Sequence, residues 1–413
     1  LAGEGERKLF KAKLVWKVVL VLFLVSLAAS LALYPQIKRV YQVLTLFESE
    51  NIVENFRSMD QIFDIKTVSR GDEVNVLNNT PGQLPETYHY QGEEKSIQDF
   101  LEDTWTTGFI VLKDGNILYE EYFLGNQEDT KVISWSVSKS IVSALVGIAI
   151  DDGYIKDIQE PVTNYVPTLQ ESGYSEVPIK DILQMSSGIH FNEDYADFNS
   201  DINRMGRALA FNTSIDGFVT SLESEREPGT YNNYVSMDTQ VLAMLLREAT
   251  GQNLTDYMEN KLWSKMGMEE DAHWLLDRKG MELAFGGLNA VLRDYARFGL
   301  LYMNGGSYNG QEVVPAWWVK DSVTPDSPHL MPGRKGPDQE ELMGYGYQWW
   351  LPADTDGDFM AIGIYNQYIW IHPELGVVIV KSSAYPDYDL DGTLKTRESI
   401  AMFRAIAEGI TEQ

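Results

Sequence analysis

Two residues pose the chemical question. Ser136 and Lys139 stand three apart in Ile133-Ser-Trp-Ser-Val-Ser-Lys-Ser140, and the Ser-x-x-Lys arrangement occurs once in the chain. The chain beyond them is almost wholly apolar up to Asp151-Asp152-Gly153, so the spacing predicts a buried helix. Ser134 is its candidate N-cap, and Gly153 sits where a left-handed C-terminal cap falls. A three-residue offset puts serine and lysine on one helix face. Burial disfavours a charged lysine and lowers its pKa, which makes Lys139 a base for neutral pH and Ser136 the nucleophile it activates. The first N–H groups of a helix have no intrahelical partner, so the Ser136 N–H is available to an oxyanion. Two common residues at a fixed offset also arise by chance, and the rest of the chain has to decide.

The elements that must position this pair are legible in outline. Gly108 to Phe123 reads as a β-hairpin turning at Asp114-Gly115, just before the serine helix. Residues 155–330 are mostly helical with long loops. Strand-like runs come next at Tyr345 to Trp350, Asp358 to His372 and Gly376 to Ser382, then an amphipathic helix from Leu394 to Ile410. Strands at both ends with helices between predict an α+β unit, one antiparallel sheet interrupted by a helical insertion.

The N-terminus is of another kind. Val18 to Tyr34 is an apolar run whose helix would be about 26 Å long, close to a hydrocarbon core. Five basic residues precede it and two come after, which places the tail in the cytoplasm and the body outside. We therefore expect residues 1–35 to be a basic tail and single-pass transmembrane anchor, with a cleaved signal peptide as the alternative. Residues 36–94 read as a linker helix and loop, and residues 95–413 as the catalytic domain.

Composition narrows the function classes. The 413-residue chain has a net charge of −28, and because residues 1–40 carry +5 the remainder carries −33. So acidic a body repels a phosphate backbone and excludes nucleic acid as a partner. Cysteine is absent, which removes disulfides and thiol chemistry. The five histidines show no metal-ligand spacing, and no Gly-x-Ser-x-Gly elbow is present.

Downstream of the serine helix, further motifs fall in order. They are Ile179-Lys-Asp-Ile-Leu-Gln-Met-Ser-Ser-Gly-Ile189, Pro228-Gly-Thr-Tyr-Asn-Asn-Tyr234-Val-Ser236, Gly286-Gly-Leu-Asn289, Pro315-Ala-Trp-Trp and Tyr345-Gly-Tyr-Gln-Trp-Trp350. Spread over residues 95 to 410, this order resembles the β-lactamase-related serine hydrolases, a family with class C β-lactamases, DD-peptidases, esterases and 6-aminohexanoate-dimer hydrolase. The resemblance implies a β-lactamase/transpeptidase-like fold, with a helical subdomain beside the sheet and the active site at their junction. It also implies Ser136 as nucleophile, Lys139 as base and Tyr234 as the proton relay to the leaving group.

The third family motif departs. Where Lys-Thr-Gly or His-x-Gly is usual, the matching strand reads Ala361-Ile-Gly363-Ile364, and the tyrosine motif ends in Ser236 rather than asparagine. Both departures are similar to the 6-aminohexanoate-dimer hydrolase and esterase branch. There Ile364 would supply the second oxyanion N–H beside that of Ser136, and Tyr195, Ser236, Asn289 and Gly363 would contact substrate. A surface-loop role for Tyr195 and Asn289 stands beside that reading, as does an N-cap role for Ser236.

The expected reaction is hydrolysis of an ester or linear amide through an acyl-enzyme, with no cofactor required and a small molecule as substrate. A DD-peptidase or β-lactamase acting on wall or β-lactam substrates is the second reading, and an inactive peptide-binding scaffold is the third. One pattern stands apart from all three. Asp387, Asp389, Asp391, Thr393 and Glu398 fit a twelve-residue calcium loop with Gly392 at position six, although a strand rather than a helix precedes it. The alternative is an acidic turn favouring the N-terminus of the closing helix.

Overall fold

The structure is a computed structural model that describes residues 2–210, 214–336, 340–354 and 356–411. It divides into two units, residues 1–46 and residues 47–413. The first is a single helix, α1 (Ala2–Leu44). Within it Lys13–Tyr34 is long and apolar enough to cross a membrane or to serve as a signal sequence.

The second unit starts earlier than residue 95. Helix α2 (Ile52–Arg57) buries Ile52 and Phe56, and β1 (Asp64–Val68) pairs along its whole length with a strand two hundred residues later. The stretch expected to be a linker is thus part of the body from residue 47 onward. Its polar composition hides this, because the partners that bury it are distant in sequence.

Strands β2 (Thr106–Lys113) and β3 (Asn116–Tyr122) form the expected hairpin. Asp114 and Gly115 take φ of +49° and +82°, the left-handed pair that a two-residue hairpin turn needs. A short β4 (Val132–Ile133) precedes the serine helix, α3 (Ser138–Asp151). Every residue of α3 from Ser138 to Ala149 is buried, as its all-round apolar sequence requires. Gly147 has a packing reason, since a Cβ there would lie 2.3 Å from the Trp318 ring.

Helix α4 (Ser236–Thr250) packs beside α3. Strands β5 (Ala272–Leu276) and β6 (Leu288–Ala290) complete a four-stranded sheet in the order β1-β5-β6-β4. Helix α5 (Leu292–Met303) then lies against the main sheet, with Gly299 allowing an approach that would put a Cβ 2.5 Å from Val378.

The main sheet adds β7 (Gly344–Tyr345), β8 (Trp350–Leu351), β9 (Phe359–Gly363), β10 (Gln367–His372) and β11 (Val377–Ser383). Its order is β7-β8-β9-β10-β11-β2-β3, antiparallel throughout. The two ends of the domain meet where Ile379 pairs with Val111. Helix α6 (Tyr388–Thr411) closes the core by packing Phe403, Ile406 and Ile410 with Phe109, Tyr368 and Trp370.

Helix α6 also replaces the calcium loop. From Tyr388 onward the segment is helical, which separates Asp389 from Glu398 by roughly 13 Å along the axis. Glu398 instead accepts from the Tyr88 hydroxyl at 2.9 Å and from Lys95 Nζ at 2.6 Å, while Asp389 and Asp391 occupy the first turn. The acidic residues here favour a helix N-terminus, and Asp387, Asp389, Asp391, Thr393 and Glu398 do not converge.

Candidate active site

Ser136, the candidate nucleophile, is presented by a sharp turn. Trp135, between β4 and α3, has φ +45°, a left-handed conformation that is costly for a bulky aromatic residue. Its ring packs against Phe56 at 5.3 Å and Tyr365 at 6.0 Å, contacts that hold the turn in place. Trp135–Val137 form a short 3-10 turn, so the α-helix proper begins at Ser138, later than the sequence suggests. The expected Ser134 cap is not made, because its hydroxyl donates to the Trp135 carbonyl at 3.0 Å. Val137 N–H donates to Ser134 O at 3.2 Å, one residue after the nucleophile. Gly153 does take the left-handed conformation, with φ +79°.

Lys139 is 1% exposed. Its Nζ lies 2.7 Å from Ser136 Oγ, 3.2 Å from Ser236 Oγ and 2.8 Å from the Phe285 carbonyl. Burial is the largest influence on its pKa and lowers it to about 7, against the opposing charges of Glu193 and Asp238. A substantial share of the amine is therefore unprotonated at neutral pH and can accept the serine proton.

Tyr234 is half-buried on the loop before α4, its ring stacked on Trp350 at 5.4 Å and set edge-on to Tyr345 at 6.3 Å. Lys139 Nζ sits 5.0 Å from its ring centre. Burial and Glu193 hold its hydroxyl protonated well above the usual tyrosine range, and the Ser136 hydroxyl partly offsets them. Such a phenol stays protonated at neutral pH.

The end of β9 approaches from the other side. A Cβ on Gly363 would lie 2.6 Å from the Ser134 carbonyl and 3.2 Å from Ser136 N, so only glycine lets this strand close on the nucleophile. The turn Ile364-Tyr365-Asn366 comes next, with Tyr365 and Asn366 both left-handed. The backbone N–H groups of Ser136 and Ile364 are thereby carried on neighbouring segments.

The remaining expected residues divide. Ser236 is the first residue of α4 rather than its cap, and its Oγ donates to Glu193 Oε1 at 2.5 Å. Tyr195 also donates to Glu193 Oε1, at 2.7 Å, and comes within electrostatic reach of Tyr234. Asn289 is 1% exposed, and its Nδ2 donates to the Gly287 carbonyl at 3.0 Å. It braces the turn after Phe285 rather than opening onto the cleft.

Sequence reasoning missed two participants. Glu193 reaches Ser236, Tyr195 and the field around Lys139, yet a glutamate in a polar loop carries no signal by itself. The Phe285 carbonyl is a backbone group, hinted at only by the adjoining Gly286-Gly287 pair.

Comparisons with known proteins bear on the family and the fold. A family model described as "Beta-lactamase" matches residues 94–397. A 6-aminohexanoate-dimer hydrolase of Paenarthrobacter ureafaciens is 34% identical over 300 residues, covering 71% of this chain and 76% of that protein. Among solved structures, a Bacillus anthracis protein provisionally assigned as a 6-aminohexanoate-dimer hydrolase superposes with a TM-score of 0.79 at 23% identity, covering 89% of this chain and 96% of that one. A family VIII carboxylesterase superposes with a TM-score of 0.55 at 15% identity, over 75% and 95% of the two chains. These last two similarities speak for the fold.

Proposed function

Since the chain belongs to the β-lactamase family, we propose that it is a serine hydrolase cleaving esters or linear amides through a covalent acyl-enzyme. Ser136 Oγ attacks the substrate carbonyl as its proton passes to the neutral amine of Lys139. The N–H groups of Ser136 and Ile364 stabilise the oxyanion. Tyr234 delivers a proton to the leaving group, whose bond to the carbonyl carbon breaks. Water then attacks the ester formed on Ser136 and releases the acid.

The observation carrying this reading is the contact of Lys139 Nζ with Ser136 Oγ at 2.7 Å, inside a site where burial brings the amine to about pKa 7. The substrate class rests on the motif departures: the strand position of the family's cation or imidazole is Ala361, buried and apolar. The named activity of the 6-aminohexanoate-dimer hydrolase relative supports the same branch. We place the body outside the cytoplasmic membrane on helix α1, on the strength of the basic flank and apolar run.

The decisive test is Ser136→Ala. It should abolish turnover of short acyl esters and labelling by a fluorophosphonate probe, and retained activity would falsify the assignment. Absence of both adduct formation and hydrolysis with a fluorescent penicillin should separate this branch from a DD-peptidase or β-lactamase.

A further inference from the structure

Four aromatic rings meet beside Ser136. Phe47, Phe56, Trp135 and Tyr365 are in mutual contact, and all six pairings have ring centres 5.1–6.3 Å apart. Trp135 immediately precedes Ser136, and Tyr365 immediately follows Ile364. The cluster therefore joins the two turns that carry the N–H groups proposed to hold the oxyanion.

Both turns need holding. Trp135 has φ +45° and Tyr365 φ +62°, left-handed conformations in which bulky residues persist only where their surroundings over-determine them. One turn leaves the end of β4 and the other the end of β9, and these strands lie in different sheets. Their ladders thus do not set the spacing between the two N–H groups.

Phe47 and Phe56 bridge that gap. Phe47 stacks on Tyr365 at 5.1 Å with the ring planes 15° apart, and lies 5.6 Å from the Trp135 ring. Phe56 meets Trp135 and Tyr365 edge-on, at 5.3 Å and 5.2 Å. Stacked and edge-on rings at these separations attract each other. Phe56 is buried on α2, and α2 is fastened to the body where Arg57 donates to the Leu124 carbonyl at 2.9 Å. Phe47 is 42% exposed, far more than a core-filling residue, and among the described residues its ring partners are the other three members of the cluster. Both phenylalanines precede residues 94–397, the part that matches the family, and Phe47 stands three residues beyond the end of α1.

We propose that Phe47 and Phe56 are positioning residues for the reaction: by clamping Trp135 to Tyr365 they set the spacing of the Ser136 and Ile364 N–H groups around the developing oxyanion. This rests on the hydrolase reading above and gives the segment before the family-matched region a part in it. Neither ring touches a reacting atom. Their effect belongs to the transition state, because hydrogen bonds to an oxyanion weaken steeply once a donor is misplaced.

Phe47→Ala in the whole chain gives the test, with 4-nitrophenyl acetate as substrate. Turnover is counted per fluorophosphonate-titrated site, so that unfolded molecules drop out. kcat should fall about tenfold or more with KM within about twofold, the split expected when an interaction made only in the transition state is weakened. Affinity for benzeneboronic acid, which forms a tetrahedral anion on the serine oxygen, should drop by about the same factor as kcat. Phe47→Tyr keeps the ring and should restore kcat to within about twofold of the wild-type protein. Phe47→Ala/Gly363→Ala should lose less than the product of the two single losses, since both changes act on the same pair of donors. An unchanged kcat per titrated site overturns the proposal, as does a loss that multiplies fully with that of Gly363→Ala. If the wild-type protein neither hydrolyses the ester nor takes the label, the catalytic reading fails separately. Hydrogen exchange then decides the clamp. Peptides spanning 133–138 and 362–367 should exchange faster in Phe47→Ala while the rest of the main sheet is unchanged, and unaltered exchange there overturns it.

Discussion

The Ser236 hydroxyl donates to the Glu193 carboxylate at 2.5 Å while its oxygen lies 3.2 Å from Lys139 Nζ. Ser236 N–H donates to the other carboxylate oxygen at 3.0 Å. A loop acid is thereby tied to the first turn of α4 and coupled to Lys139, the proposed base.

Glu193→Gln should shift the pH profile. The active form of Lys139 is the neutral amine, so kcat/KM rises as pH passes through its pKa. The Glu193 charge raises that pKa, and removing it lets the amine lose its proton at lower pH. The acidic limb of kcat/KM should therefore move to lower pH. An unmoved limb would mean that the carboxylate acts only through the loop it holds.

Tyr234→Phe should retain the fold, because ring stacking on Trp350 survives the change. Loss of the proton donor should lower kcat by ~10²–10⁴, the range for general-acid groups. The deficit should be smallest for substrates with acidic phenol leaving groups, which depart without a proton.

Gly363→Ala should damage chemistry more than binding. The new methyl meets the Ser134 carbonyl at 2.6 Å, and relief requires β9 to draw back from Ser136. If Ile364 N–H then leaves the oxyanion position, kcat should fall by roughly 10²–10³ with a smaller change in KM. Overpacking should also lower stability by about 1–3 kcal/mol, read from denaturant unfolding.

Lys381 provides a stability prediction away from catalysis. It is 1% exposed on β11, with Ser383 Oγ 2.5 Å from its Nζ, and burial holds its pKa well below the usual lysine range. The folded state thus binds fewer protons at this side chain than the unfolded chain does. Its contribution is unfavourable at neutral pH and disappears as pH rises from the depressed folded pKa toward about 10.4. Lys381→Met should accordingly stabilise the protein at pH 7, with an advantage that shrinks by up to about 1.4 kcal/mol per pH unit. A pH-independent difference between the two proteins would contradict this.

Much of the fold was readable because local patterns and tertiary demands coincide. The hairpin at Asp114-Gly115 and the all-apolar run after Lys139 each admit few structures, and both appear where expected. The closing helix is longer than its amphipathic stretch, since the acidic residues that resemble a calcium loop serve equally well as its first turn. Residues 47–94 were misread because β1 finds its partner only at Ala272–Leu276, and pairing over that distance leaves no local trace.

The sequence by itself singled out Ser136 and Lys139 by type and spacing, and Tyr234 through the family resemblance, as candidates for nucleophile, base and proton relay. Tertiary structure alone decided what surrounds them. The depressed Lys139 pKa exists only once α3 is enclosed, and Gly363 matters only when a strand 227 residues downstream closes on Ser136. Glu193 and the Phe285 carbonyl are common groups with no distinguishing pattern. Their roles come from desolvation and proximity, which belong to the packed chain and not to its order of residues.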